Sequence, residues 1–274
     1  MVTFAGLSLD RPLIMGIVNA TPDSFSDGGE AFRFTDAVAR GLQMVEDGAD
    51  IIDVGGESTR PGAAPVGLDD ELRRTVPVIE SLVKGGVLVS IDTRHAAVMR
   101  AALDVGAAII NDVSALTGEG SLDVVATSNA SVVLMHMQGE PGKMQASPTY
   151  TDAPGEVFAY LKDRIAACEA AGIDRSRMAV DPGIGFGKTV EHNLQILKRL
   201  DLYQDIGVAL LLGVSRKSFI GHVAGEPDAQ SRVPGSLAAA LAGVVRGANI
   251  VRVHDVAETA QALKLWTAIE NPER

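Results

Sequence analysis

Eight short apolar runs, spread along the whole chain, set the first limit on its fold. They are Leu13–Val18, Asp50–Val54, Val87–Ile91, Ala108–Ile110, Ser131–Met135, Met178–Val180, Val208–Leu212 and Asn249–Val253. They are too short for helices and too continuously apolar for strands with one wet face. Strands buried on both faces of a parallel sheet read this way. Parallel neighbours need a crossover between them, and segments with helical spacing fill the gaps. Thr35-Asp36 is placed to cap a helix that ends at Gly48. Segments 69–84, 95–105, 121–128, 154–171, 190–200, 232–246 and 256–270 bring the helices to eight. Glycines at 48, 85, 106, 172 and 247 fall where helices should stop, and Pro77 is a local cost inside the second helix.

Eight strands alternating with eight helices in 274 residues match a (β/α)8 TIM barrel, with residues 1–12 as a short strand or hairpin ahead of it. An open doubly wound sheet is the competing architecture. It is disfavoured because no G-x-G-x-x-G follows the first strand. No linker-like stretch divides the chain, so one domain over residues 1–274 is expected.

The charge balance excludes several partners. A net charge of −11 argues against a general nucleic-acid or anionic-membrane surface, so an anionic ligand would need local Lys and Arg. The single cysteine, Cys168, rules out an intramolecular disulfide or a multi-cysteine metal site, and its helical spacing with Ile165 marks it as buried filler. No basic-then-apolar leader and no membrane-length run occurs, so a cytoplasmic protein is expected.

In a barrel of this kind the C-terminal ends of the strands share one mouth. Those ends read Asn19, Asp53, Asp92, Asn111, His136, Asp181, Ser215-Arg216-Lys217 and Arg252-Val253-His254. A single such residue is an ordinary turn former, but all eight ends are polar or charged. Carboxylates and amides hydrogen-bond a flat, nitrogen-rich heterocycle, and Asp92, Asn111 and Asp181 suit its floor. Met135 or Phe186 is placed against a ring face, although Met135 reads equally well as core. Arg60, Lys217, Arg252 and His254 suit a phosphate or diphosphate. Asn19, with Asp23 and Asp27 beyond it, supplies oxygen ligands of the kind Mg²⁺ takes beside a substrate phosphate. The glycine-rich stretch Asp181–Lys188 lacks the spacing of a phosphate-binding P-loop. Its glycines instead let the backbone pass close beneath a flat ligand.

Two long stretches carry a resemblance. Asn19-Ala20-Thr21-Pro22-Asp23-Ser24-Phe25-Ser26-Asp27-Gly28-Gly29 and Asp53-Val54-Gly55-Gly56-Glu57-Ser58-Thr59-Arg60-Pro61-Gly62 resemble the two pterin-binding signatures of the dihydropteroate synthase family. Asn111-Asp112, Met135-His136-Met137, Asp181-Pro182-Gly183, Ser215-Arg216-Lys217-Ser218 and Arg252-Val253-His254-Asp255 follow in that family's order, over roughly residues 13–267. The resemblance implies a Mg²⁺-dependent barrel enzyme of folate biosynthesis and a sulfonamide target. Its reaction would join 6-hydroxymethyl-7,8-dihydropterin pyrophosphate to 4-aminobenzoate, giving 7,8-dihydropteroate and pyrophosphate.

Carried over by motif, the pterin pocket is Asp53, Asp92, Asn111, Met135, Asp181, Phe186, Gly213 and Lys217. The pyrophosphate set is Asn19, Thr59, Arg60, Arg252 and His254, with Asn19 on the metal. The aminobenzoate set is Phe25, Arg60, Pro61, Lys217 and Ser218. The catalytic set is Asp92, Asp181, Lys217, Arg252 and His254. The resemblance also implies a homodimer, and the apolar helices 232–246 and 256–270 supply candidate faces. Three other readings stay open: a Schiff-base aldolase built on Lys217, a pterin-binding methyltransferase domain, and a paralogue that binds pterin without turnover.

Overall fold

A computed structural model gives the structure of residues 3–20, 30–57, 66–139 and 144–272. The chain opens with a two-stranded antiparallel hairpin, β1 (Thr3–Phe4) and β2 (Leu7–Ser8). Eight parallel strands follow: β3 (Leu13–Asn19), β4 (Ile51–Gly55), β5 (Val89–Asp92), β6 (Ile109–Asp112), β7 (Ser131–Met135), β8 (Met178–Asp181), β9 (Ala209–Gly213) and β10 (Ile250–Val253). They close in sequence order, with β10 pairing back onto β3. The eight runs legible in the sequence are the eight staves of the barrel. Each ends within two residues of the expected position.

The helices are α1 (Glu30–Glu46), α2 (Leu68–Lys84), α3 (Ala96–Asp104), α4 (Ser121–Ala126), α5 (Ala153–Ala170), α6 (Val190–Lys198), α7 (Ser218–Ala224), α8 (Val233–Val244) and α9 (Val256–Glu270). Two corrections follow. Helix α1 begins at Glu30, so Thr35 and Asp36 lie inside it and are not its cap. Glu30-Ala31-Phe32-Arg33 contains no helix breaker, and the helix extends back to the glycine pair before it. Helix α7 makes nine α-helices among the described residues, where eight were expected. Its seven residues are too few to show a period; Phe219 and Ile220 are buried, and Gly225, at φ +70°, ends it. Helix α2 runs through Pro77 without interruption. Cys168 is fully buried in α5, and burial pushes its thiol pKa upward. Among the described residues no helix is long and apolar enough to cross a membrane.

Strand side chains alternate between two separate cores. Ile14, Val18, Ile52, Val54, Ile91, Ile110, Leu134, Val180, Leu212 and Val251 face outward into the layer against the helices. Leu13, Met15, Ile51, Ile109, Val133, Ala179, Ala209, Leu211 and Ile250 fill the barrel itself, joined by Phe4 of the hairpin. Both faces of every stave are therefore dry, which explains the continuous apolar runs.

The same alternation places the chemistry. Two residues beyond the interior apolar layer, the next inward positions are Asp53 after Ile51, Asn111 after Ile109, Asp181 after Ala179, Gly213 after Leu211 and Arg252 after Ile250. The apolar plug ends and the polar mouth begins one pleat later. A slip of one residue in any stave would turn that polar group into the helix layer.

Phe4 caps the opposite end of the plug and is completely buried. Truncating a buried phenylalanine removes its transfer free energy and leaves a cavity. Phe4→Ala should therefore destabilise the chain by about 3–5 kcal/mol in urea unfolding, with catalytic constants per folded molecule unchanged. A loss under about 1 kcal/mol would show that the hairpin does not seal the barrel.

Candidate active site

Arg252 is the hub of the mouth. Its Nε donates to Asp53 Oδ2 at 2.6 Å and its Nη2 donates to Asp92 Oδ2 at 2.7 Å, so one guanidinium spans strands β4, β5 and β10. Asn111 Nδ2 donates to the same Asp53 oxygen at 3.0 Å, extending the network to β6. Asp53 is fully buried, and its Oδ1 has no protein partner. Two carboxylates share one cation here, and the environment disfavours a second negative charge. Burial pushes the Asp92 carboxyl up to about 7, against the pull of Arg252 and helped by neighbouring Asp53.

Asp181 stands across the barrel on β8. Its Oδ1 accepts the Gly183 N–H at 2.7 Å, which ties the carboxylate to the start of the glycine-rich loop. Burial raises its pKa, opposed by that hydrogen bond and by Lys217, Lys188 and Arg252. Gly213, on the neighbouring strand, leaves room beside it. A β-carbon there would sit 3.8 Å from Asp181 Oδ2 and 4.0 Å from Arg252 Cβ.

The loop at residues 182–187 can follow its path only with glycine at two positions. A β-carbon on Gly183, at φ +67°, would lie 1.9 Å from the His136 carbonyl oxygen, and one on Gly187, at φ +59°, 2.3 Å from that of Gln138. The loop therefore presses against the chain leaving β7. Gly185 N–H donates to Asn193 Oδ1 at 2.7 Å, which fastens the loop to α6 as well.

Lys217 reaches in from the β9–α7 turn. Its Nζ donates to the Ile184 carbonyl and lies 4.3 Å from the centre of the Phe186 ring. Burial lowers its pKa to about 8, with Asp181 and Asp92 opposing. The residue before it, Arg216, adopts φ +59° and points elsewhere. Its N–H donates to Ser236 Oγ at 2.8 Å and its guanidinium is paired with Asp255. Of the Ser215-Arg216-Lys217 triplet, only the lysine serves the cleft directly. Ser215 Oγ accepts the His254 N–H at 3.1 Å and lies 3.0 Å from His254 Nδ1, which fixes that imidazole at the rim.

The structure thus joins Asp53, Asp92, Asn111 and Arg252 through hydrogen bonds, and it sets Asp181, Gly213, Phe186 and Lys217 against the same mouth. Met135 is buried at the end of β7 in register with Asp181. Asn19 ends β3 in register with Gly55, and Ser218 is the first residue of α7. Arg252, expected on the diphosphate, commits two of its donors to the acid floor and so links floor and rim. Phe25, Thr59, Arg60, Pro61, Asp23 and Asp27 lie outside the described residues.

Sequence reasoning missed Lys188. It is 3% exposed, and burial pulls its pKa down to about 7 while Asp181 opposes. The Gly187-Lys188 pair is the only signal in the sequence, and its spacing speaks to a phosphate-binding loop but not to burial of the lysine.

Comparison with known proteins fits this geometry. Residues 15–254 match the family described as pterin binding enzyme. The dihydropteroate synthase of Neisseria meningitidis serogroup C is 51% identical over 267 residues, which cover 96% of this chain and 94% of that protein. The structure of Xanthomonas albilineans dihydropteroate synthase with 4-aminobenzoic acid is 50% identical, with a TM-score of 0.92, and covers 97% of this chain and 95% of that one. The same enzyme in complex with 7,8-dihydropteroate gives 48% identity, a TM-score of 0.89, and coverage of 97% and 96%. The chain belongs to the pterin-binding enzymes and, among them, to the dihydropteroate synthase family of transferases.

Proposed function

We propose that this chain joins 6-hydroxymethyl-7,8-dihydropterin pyrophosphate to 4-aminobenzoate, with Mg²⁺, by a displacement in which the diphosphate leaves before the amine attacks. The observation that carries the reading is the pairing at the mouth: an amide and acid floor of Asp53, Asp92, Asn111 and Asp181, faced by the Lys217 ammonium. The relatives solved with 4-aminobenzoic acid and with 7,8-dihydropteroate support the amine substrate and the product.

The floor binds and orients. Carboxylates accept from the paired N–H groups of a pterin edge, and Asn111 both donates and accepts. The carbon–oxygen bond between the pterin methylene and the diphosphate breaks, and its electron pair leaves with the diphosphate. The lone pair of the ring nitrogen conjugated to the methylene supports the resulting cation, and Asp92 and Asp181 stabilise it electrostatically. The aminobenzoate nitrogen then forms the new carbon–nitrogen bond and releases a proton to solvent or to the diphosphate. An aromatic amine is a weak nucleophile, so trapping a cation suits it, and no residue is assigned as a strong base.

On the leaving-group side, Arg252 and Lys217 supply positive charge, and the His254 imidazole stands beside them as a hydrogen-bonding group. Asn19 would hold Mg²⁺ through its amide oxygen, and the metal would neutralise charge on the diphosphate. The donor set fits a substrate-borne ion. Among the described residues no group of three or more His, Cys, Asp or Glu could hold a metal by itself. Such an ion takes most of its ligands from phosphate and water.

Two outcomes are expected. With the bridging oxygen of the pterin pyrophosphate isotopically labelled, the recovered substrate should show scrambling into non-bridging positions without aminobenzoate. An absence of scrambling under conditions that support turnover would contradict departure before attack. The pH profile of kcat/KM should rise as Asp92 ionises near 7 and fall as Lys217 loses its proton near 8. Lys217→Arg keeps its charge across that range, so its alkaline limb should disappear even if the overall rate is lower. An unchanged alkaline limb in Lys217→Arg would show that another group titrates there.

A further inference from the structure

Lys188 has no part in the chemistry above, yet the chain buries its amino group almost completely. Burying a charged group is costly unless its hydrogen-bonding capacity is met. Here it is met in full. Nζ lies 2.9 Å from the Phe186 carbonyl oxygen, 3.3 Å from that of His136 and 3.0 Å from His136 Nδ1. An ammonium has three N–H donors and finds three acceptors. The neutral amine would still donate to both carbonyls and accept from Nδ1–H of the other tautomer, so the tie holds in either state.

The acceptors belong to two different segments. His136 follows β7, and its ring is fixed edge-on by Tyr160 at 4.9 Å between centroids. Phe186 belongs to the glycine-rich loop, whose Gly183 and Gly187 lie against that same stretch after β7. Tyr150 adds a second tie by donating from its hydroxyl to the Gly187 carbonyl at 2.9 Å. The Ile184 carbonyl and the Phe186 ring of the same loop together hold the Lys217 ammonium. One lysine therefore ties the loop to the chain after β7, and the other rests on it.

We propose that Lys188 is a positioning residue: by joining the Phe186 carbonyl to His136 beyond β7, it fixes the loop on which Lys217 rests in the cleft. The assignment rests on the reaction proposed above for Lys217. The simpler alternative is that Lys188 is only a buried counter-charge for Asp181, with no effect that passes through Phe186.

A double-mutant cycle with Phe186→Ala separates the two. Lys188→Met removes every donor while keeping most of the side-chain volume. It should lower kcat/KM about tenfold in the parent chain and less than about twofold when Phe186 is already alanine, the non-additivity expected of residues acting as one unit. Lys188→Gln keeps two N–H donors for the two carbonyls and should recover part of the loss. Equal factors in both backgrounds, no loss in Lys188→Met, or failure of both Lys188 variants to fold would each overturn the proposal. The same cycle read on the Kd for 7,8-dihydropteroate decides the role of Lys188 without turnover. A parent chain that binds 7,8-dihydropteroate but releases no pyrophosphate would defeat the proposed reaction alone.

Discussion

The mouth of this barrel is organised around a charge that cannot be left unpaired. The Arg252 guanidinium stands between Asp53 and Asp92, and Asn111 donates to the oxygen of Asp53 that Arg252 also holds. Buried carboxylates pay a large desolvation cost, repaid only when cations and N–H donors surround them. The Arg252 bridge makes strands β4, β5 and β10 hold one another at their chemical ends as well as along their backbones. Removing the arginine would strand two carboxylates, whereas removing either carboxylate would leave the cation a partner. The site is accordingly more tolerant of losing one acid than of losing its single bridging base.

Across the cleft the order is reversed. One carboxylate, Asp181, lies among several cations: Lys217 and Lys188 both act on it, and a backbone N–H holds one of its oxygens. A flat heterocycle with an N–H edge and an anionic substituent matches this division, with acids for the ring and bases for the leaving group. The chain is acidic overall, with a net charge of −11, so affinity for an anionic substrate must come from these few local cations. Under the proposed reaction this division leaves no task for a general base: the fields that would hold the pterin would also favour its cation, and the charges at the rim would favour the departing diphosphate.

The barrel was legible because every stave is dry on both faces. Asp53, Asn111, Asp181 and Arg252 were legible as polar residues at strand ends that share one mouth, and the period-two alternation seen in the structure explains why they turn inward. What escaped was information carried by tertiary packing. Helix α7 is seven residues long and shows no period. The start of α1 depended on helix formers upstream of a tempting Thr-Asp cap. The direction of Arg216 is set by its left-handed backbone and its pairing with Asp255, neither of which the Ser-Arg-Lys triplet reveals. Lys188 was hidden for a related reason: two of its three acceptors belong to His136, some fifty residues away, and sequence spacing cannot bring them together.

The central claim is that these inward side chains form one pterin floor with a cation at its edge. A crystal structure of the chain with 7,8-dihydropteroate bound tests it most directly. The account predicts the pterin edge within hydrogen-bond distance of Asp92, Asn111 and Asp181, with the Lys217 ammonium beside the ring and the aminobenzoate portion directed outward past Ser218. A pterin bound elsewhere, or in the mouth with its N–H edge turned away from the three floor residues, would contradict it.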